Sequence, residues 1–156
     1  MKRTILIVTL ILSGFCLSGY SQIDAVKLDN EKGSSMIPII YELDTLVNII
    51  EKQFAAEIVR MEFDIIKDTA FSYRTLFPGY RYGVFVYGDY RIKEIDLEIY
   101  EQTETGWSYV SSGSIDKNTS IGWIEPEKPG MYSVKIFVKE FLEGFRGAHY
   151  GILIFN

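Results

Sequence analysis

Among 156 residues the chain has one histidine, His149, and one cysteine, Cys16. A Ser-His-acid triad would therefore have to use His149, which sits beside Tyr150 in a strand-like stretch with no nucleophile-elbow pattern near it. The simpler reading is a strand residue facing solvent or the edge of a sheet. Carboxylates are more plentiful. Glu94, Asp96 and Glu98 alternate along one segment, so in a strand they share a face. A facing pair of carboxylates could hydrolyse a glycoside, but residues two apart on one strand point the same way, whereas acid and base must meet across a cleft. Asp96 and Glu98 are also calcium candidates together with Asp89 or Asp116, although no Asp-x-Asp-x-Asp-Gly loop is present. A solvated acidic face is the expectation, with no cofactor other than that calcium alternative.

Aromatic residues crowd the second half: Tyr80, Tyr82, Tyr87, Tyr90, Tyr100, Trp107, Tyr109 and Trp123. Exposed in a row, such rings stack on sugars or grip a peptide. Tyr and Trp also favour strands for packing reasons alone, so core or cross-strand packing is the simpler account. No glycine-rich phosphate loop, His-Glu zinc motif or basic patch occurs. The net charge is −5, which repels phosphate backbones and argues against nucleic acid as a partner.

These residues need a scaffold. Lys2 and Arg3, the apolar run from Thr4 to Leu12 and the small residues Gly19 and Ser21 form the pattern of a secretory leader over residues 1–21. The apolar run is too short to span a bilayer, which takes about 20 residues. Cleavage after Ser21 would leave 135 residues without cysteine and a net charge of −7, because two cations leave with the leader. The expected location is periplasmic or extracellular. Lipid attachment at Cys16 is the competing reading, disfavoured by the bulky Phe15 before it. Residues 22–34 are polar and read as a flexible lead-in.

From Ile39 to Ile65 the apolar residues Leu43, Leu46, Val47, Ile50, Phe54, Ile58 and Met61 recur at steps of three and four, which predicts one long amphipathic helix over residues 35–68, with Met61 to Ile66 alternatively the beginning of a strand. At about 1.5 Å per residue such a helix outreaches a small sheet. Its C-terminal part, around Phe54, Ile58 and Met61, is expected to pack on the strands. Its N-terminal part, around Ile39, Ile40 and Leu43, is expected to overhang and offer a partner contact. After Asp68 the period changes to two. Tyr82, Val84 and Val86 share a face, Ile95, Leu97 and Ile99 alternate with acids, and Tyr132, Val134 and Ile136 follow the turn at Pro129-Gly130. Short strands with turn signals between them predict an antiparallel, mainly β sandwich of seven or eight strands.

The segment Glu94-Ile95-Asp96-Leu97-Glu98-Ile99-Tyr100 resembles the Asp-Leu-Asp-Leu-x-Leu-Tyr strand of bacterial pre-peptidase C-terminal domains. Pro126 through Pro129-Gly130-Met131-Tyr132-Ser133-Val134 is similar to that family's turn and following strand, and Gly147-Ala148-His149-Tyr150-Gly151-Ile152 to its closing strand. The resemblance covers residues 69–156. It implies a jelly-roll-like sandwich of the kind appended to secreted enzymes as a non-catalytic module. Here a helix, rather than a protease domain, precedes the sandwich.

Together these observations point first to an exported, non-catalytic binding or assembly module with a protein or polysaccharide partner. An interaction protein working through its N-terminal helix is the alternative, and a small carboxylate-dependent hydrolase is third.

Overall fold

The computed structural model describes residues 36–156. The leader-like residues 1–21 with Cys16, and the lead-in 22–34, lie outside the described residues. Helix α1 (Ile37–Asn48) runs into a single π-helical turn, Ile49–Gln53. Nine strands follow: β1 (Ile58–Ile66), β2 (Thr69–Leu76), β3 (Tyr82–Gly88), β4 (Ile92–Thr103), β5 (Gly106–Ser112), β6 (Ser114–Asp116), β7 (Thr119–Ile124), β8 (Gly130–Phe141) and β9 (Ala148–Phe155). They make a five-stranded sheet in the order β1-β9-β3-β7-β6 and a four-stranded sheet in the order β2-β8-β4-β5. Every pairing is antiparallel.

Alternation decides what each sheet buries. The residues predicted to face inward, Ile95, Leu97, Ile99, Tyr132, Val134 and Ile136, are all buried, together with Val84, Val86, Ile152 and Ile154 from the opposing sheet. Each such side chain contributes about 1.5–3 kcal/mol on leaving water. The result is a mainly β, antiparallel sandwich with one helix before it.

The helix is shorter than the predicted 35–68, and its end became a strand. Ile58–Ile66 is β1, paired with β9 from Ile58↔Phe155 to Ile66↔Ala148. Two local features make the break. The π turn ends the helix, and Ala55 then takes φ +51, a left-handed conformation that residues other than glycine seldom adopt. Beyond it the β-branched Ile58, Val59, Ile65 and Ile66 meet an open edge on β9, which suits them better than a helix.

The docking of the helix is also the reverse of the expectation. Ile39, in the first turn, is fully buried and Ile50 nearly so, packed with Tyr87, Leu153 and Phe155 on the outer face of the five-stranded sheet. Leu43 is half-buried against the same cluster. Phe54 is 70% exposed and Met61, now in β1, is 47% exposed. A helix of 12 residues is about 18 Å long, so it fits the sheet face instead of overhanging it. Ile39 and Leu43 therefore face their own sheet, while Ile40 points outward and is 53% exposed.

Two glycines let the helix come close. Gly83 lies opposite Phe155 and Gly151 opposite Tyr87. A Cβ on Gly83 would stand 2.3 Å from the Phe155 ring, and one on Gly151 would stand 2.4 Å from the Tyr87 ring. Each ring thus lies across a bare stretch of backbone, and the helix packs on the rings.

Candidate functional site

The acidic candidates do not converge. Asp89 is buried where β3 crosses to β4, and its carboxylate accepts hydrogen bonds from Arg91 Nε at 3.0 Å, from Arg91 Nη2, from the Arg91 backbone N–H at 2.9 Å and from the His149 backbone N–H at 3.0 Å. Asp96 meets Lys139 at 3.0 Å and accepts from the Ser120 hydroxyl at 3.1 Å. Glu98 accepts from Lys135 at 2.8 Å and from the Tyr100 hydroxyl at 2.7 Å. Asp116 sits exposed in β6. Lys139 also approaches Glu94 at 3.5 Å, so a lysine stands beside each of the three alternating acids. Among the described residues no group of three or more His, Cys, Asp or Glu side chains is placed to hold a metal ion.

His149 is buried rather than at the surface or an edge. Its Nδ1 lies 2.8 Å from Arg91 Nη2. Arginine has only donors, so Nδ1 accepts and the ring proton belongs on Nε2. Asp89, Arg91 and His149 form a closed cluster with 5% side-chain exposure or less. It ties the β3–β4 crossing to the start of β9, and no substrate can reach it. Sequence spacing could not reveal it, because its members lie 58 and 60 residues apart.

This cluster sets an acid limit. Burial works to raise the Asp89 carboxyl, but the hydrogen bonds from Arg91 and His149 outweigh it and hold Asp89 below the usual carboxylate range. Glu62 behaves alike: burial opposes, and Ser72, Arg60 and Arg74 prevail. A carboxyl depressed in the folded state adds stability above its unfolded value of about 4 and loses it as pH falls through the folded value. The melting temperature is therefore expected to hold steady from neutral pH to about 5 and to fall progressively below about 4. A scanning series between pH 7 and 3 checks this, and a melting temperature that rises into acid would contradict it.

The outer face of the four-stranded sheet is different. Cross-strand register puts Phe71, Lys135, Glu98 and Ser112 in one row, and Tyr73, Ser133, Tyr100 and Tyr109 in the next. Tyr73 stacks beside Phe71 with ring centroids 6.3 Å apart, and Trp107 leans onto Tyr73 at 5.7 Å. Tyr109 meets Tyr100 edge-on at 5.8 Å. Between them lies a shallow groove of about 220 Å³ lined by Phe71, Tyr73, Tyr100, Trp107, Ser133 and Lys135. Phe71, Tyr73, Trp107 and Tyr109 are each 46–56% exposed. Ser133, small and buried, forms the floor. The Lys135–Glu98 pair borders the groove and remains partly in solvent. Of the aromatics singled out in the sequence, Tyr100, Trp107 and Tyr109 come together here, joined by Phe71 and Tyr73. Tyr82 and Tyr87 are core residues, and Trp123 belongs to the five-stranded sheet.

No protein-family model matches the chain, and no curated protein matches it in sequence. Among solved structures, it is similar to the pre-peptidase C-terminal domain of collagenase from Bacillus anthracis, at 13% identity over 61% of this chain and 87% of that one, with a TM-score of 0.49. It is also similar to the Yersinia pseudotuberculosis-derived mitogen, at 10% identity over 63% of this chain and 84% of that one, with a TM-score of 0.47. The first is the family that the strand at Glu94–Tyr100 resembles.

Proposed function

We propose that this chain is an exported, non-catalytic binding module that holds its ligand on the aromatic face of the four-stranded sheet. The observation that carries this is the contrast between the two sheets. The helix lies on the outer face of one and leaves beside Phe54 and Trp123 an almost wholly apolar pocket of about 300 Å³, whereas the other presents Phe71, Tyr73, Trp107 and Tyr109 to solvent around a groove that also carries the polar Ser133 and Lys135. Exposed aromatic rings gathered around a depression are costly to leave uncovered and mark an interaction site. Export is supported by the leader-like residues 1–21. The absence of catalysis is supported by the acids themselves, since Asp96 and Glu98 are taken up by Lys139 and Lys135, and Glu94 and the Glu140 opposite it by Lys139 and Lys93.

A second reading, association through the helix, rests on Ile40 and Tyr41, which point away from the sheet and are 53% and 73% exposed. Sedimentation of purified protein separates it from the first, because a helix-mediated dimer would be lost in Ile40→Asp and unaffected by Trp107→Ala.

The leading proposal is tested by co-sedimentation with cellulose, chitin and fibrous gelatin. Capture by at least one matrix is expected, with loss in Tyr73→Ala and Trp107→Ala. A screen of chromogenic glycosides, esters and peptides should be blank. Hydrolysis abolished by Asp96→Asn or Glu98→Gln would replace this reading with the hydrolase one.

A further inference from the structure

We infer that the groove on the four-stranded sheet takes a neutral, unbranched polysaccharide, with sugar rings stacked on Tyr73 and Trp107. This rests on the proposal that the aromatic face is the binding surface, and it names the ligand class.

Shape comes first. Phe71, Tyr73 and Trp107 follow one another with centroid spacings of 6.3 and 5.7 Å, the planes of Phe71 and Tyr73 close to parallel at 13° and Trp107 tilted 44° from Tyr73. The three side chains are about half exposed, and the π face of each ring carries the negative part of the aromatic quadrupole. The axial C–H bonds on the flat side of a pyranose present the complementary positive edge. A chain of such rings can lie along the row, one sugar to each aromatic side chain.

The polar groups argue for hydroxyls. Lys135 and Glu98 stand side by side, with their side chains 33% and 27% exposed. Lysine supplies three donors and the carboxylate only acceptors, and a sugar hydroxyl both donates and accepts. A pair of vicinal hydroxyls can therefore bridge the two groups without breaking their ion pair. An apolar protein surface placed on the groove would instead strip water from that pair and return nothing, which is costly.

Charge argues for a neutral chain. Lys135 is already neutralised by Glu98, and the protein as a whole carries −5. A polyuronate or sulfated chain would meet net repulsion, since among the described residues lining the groove the cation is Lys135, already paired with Glu98.

The experiment is affinity electrophoresis of the protein through native gels containing hydroxyethylcellulose, glucomannan or amylose as neutral probes with unbranched backbones, alginate as the anionic probe and gelatin as the protein probe. Retardation by at least one neutral polysaccharide is expected. Tyr73→Ala and Trp107→Ala should each weaken it about tenfold, or about 1.4 kcal/mol. Both side chains are on the surface, and an unchanged melting temperature confirms that the fold is kept. Trp107→Phe, which retains a ring, should recover much of the loss. Retardation by gelatin alone, lost in Tyr73→Ala, would overturn the sugar assignment, and retardation by alginate alone, lost in the same variant, would overturn the neutral charge assigned to the chain, each leaving the binding face in place. Retardation unaffected by Tyr73→Ala and Trp107→Ala, or none with any probe, would overturn both.

Discussion

Asp89→Ala is expected to destabilise the domain by about 3–5 kcal/mol, the cost of removing one member of a buried ion pair. The carboxylate has no exposure and accepts from the Arg91 side chain, the Arg91 backbone and the His149 backbone at once. Truncation leaves a guanidinium buried with its main counter-charge gone and two backbone N–H groups without that acceptor. A domain of this size holds only about 5–15 kcal/mol in total, so the variant should unfold at a much lower urea concentration. Replacing both partners, as Asp89→Leu with Arg91→Met, should cost less than the single change, because the pair's desolvation penalty disappears with the pair. A single-variant cost under about 1 kcal/mol, the range of surface pairs, would mean that water reaches the cluster.

Gly151→Ala is expected to cost about 1–3 kcal/mol, the usual range for overfilling a packed interior. The added methyl would lie 2.4 Å from the Tyr87 ring, and Tyr87 is 1% exposed under the helix layer. The ring cannot swing into solvent, so either it or α1 must lift. Removing the ring supplies the control. In a Tyr87→Ala background the same methyl should be nearly harmless, giving a strong coupling in a double-mutant cycle. Chemical denaturation of the four proteins measures it. Additive costs would show that the contact is not the cause.

The strands were legible because one-sided burial writes a period of two. Ile95, Leu97 and Ile99 alternate with Glu94, Asp96 and Glu98, and no other element places those residues so consistently. The span from Ile49 to Arg60 reads as helix for a physical reason, and Met61 to Ile66 reads either as its end or as the start of the strand that forms. Ile50, Phe54, Ile58, Met61 and Ile65 suit a helical stripe as well as they suit what forms, and no glycine or proline interrupts them. The break is made by Ala55 in a conformation its side chain disfavours, and tertiary pairing with β9 outweighs the local preference. The aromatic residues of the groove were visible as a composition, but not as a surface. Tyr82 and Tyr100 look alike in sequence, and only the sandwich sends one inward and the other outward. Asp89, Arg91 and His149 left no trace, because the contact joins segments that local pattern cannot relate.

The pairing of the last strand has a mechanical consequence. Glu57 and Asn156 exchange two backbone hydrogen bonds, 2.8 and 3.0 Å long, at the end of the antiparallel β1–β9 ladder where Ile58 faces Phe155. Tension applied between residues 57 and 156 would pull along those hydrogen bonds, not across them. The rungs would be loaded one at a time, and the ladder would open like a zip from that end. A sandwich pulled along its strands shares the load among many bonds and resists. This one should yield at low force from its β1 edge, while β2, β8, β4 and β5, which carry the aromatic groove, stay paired until the five-stranded sheet has opened.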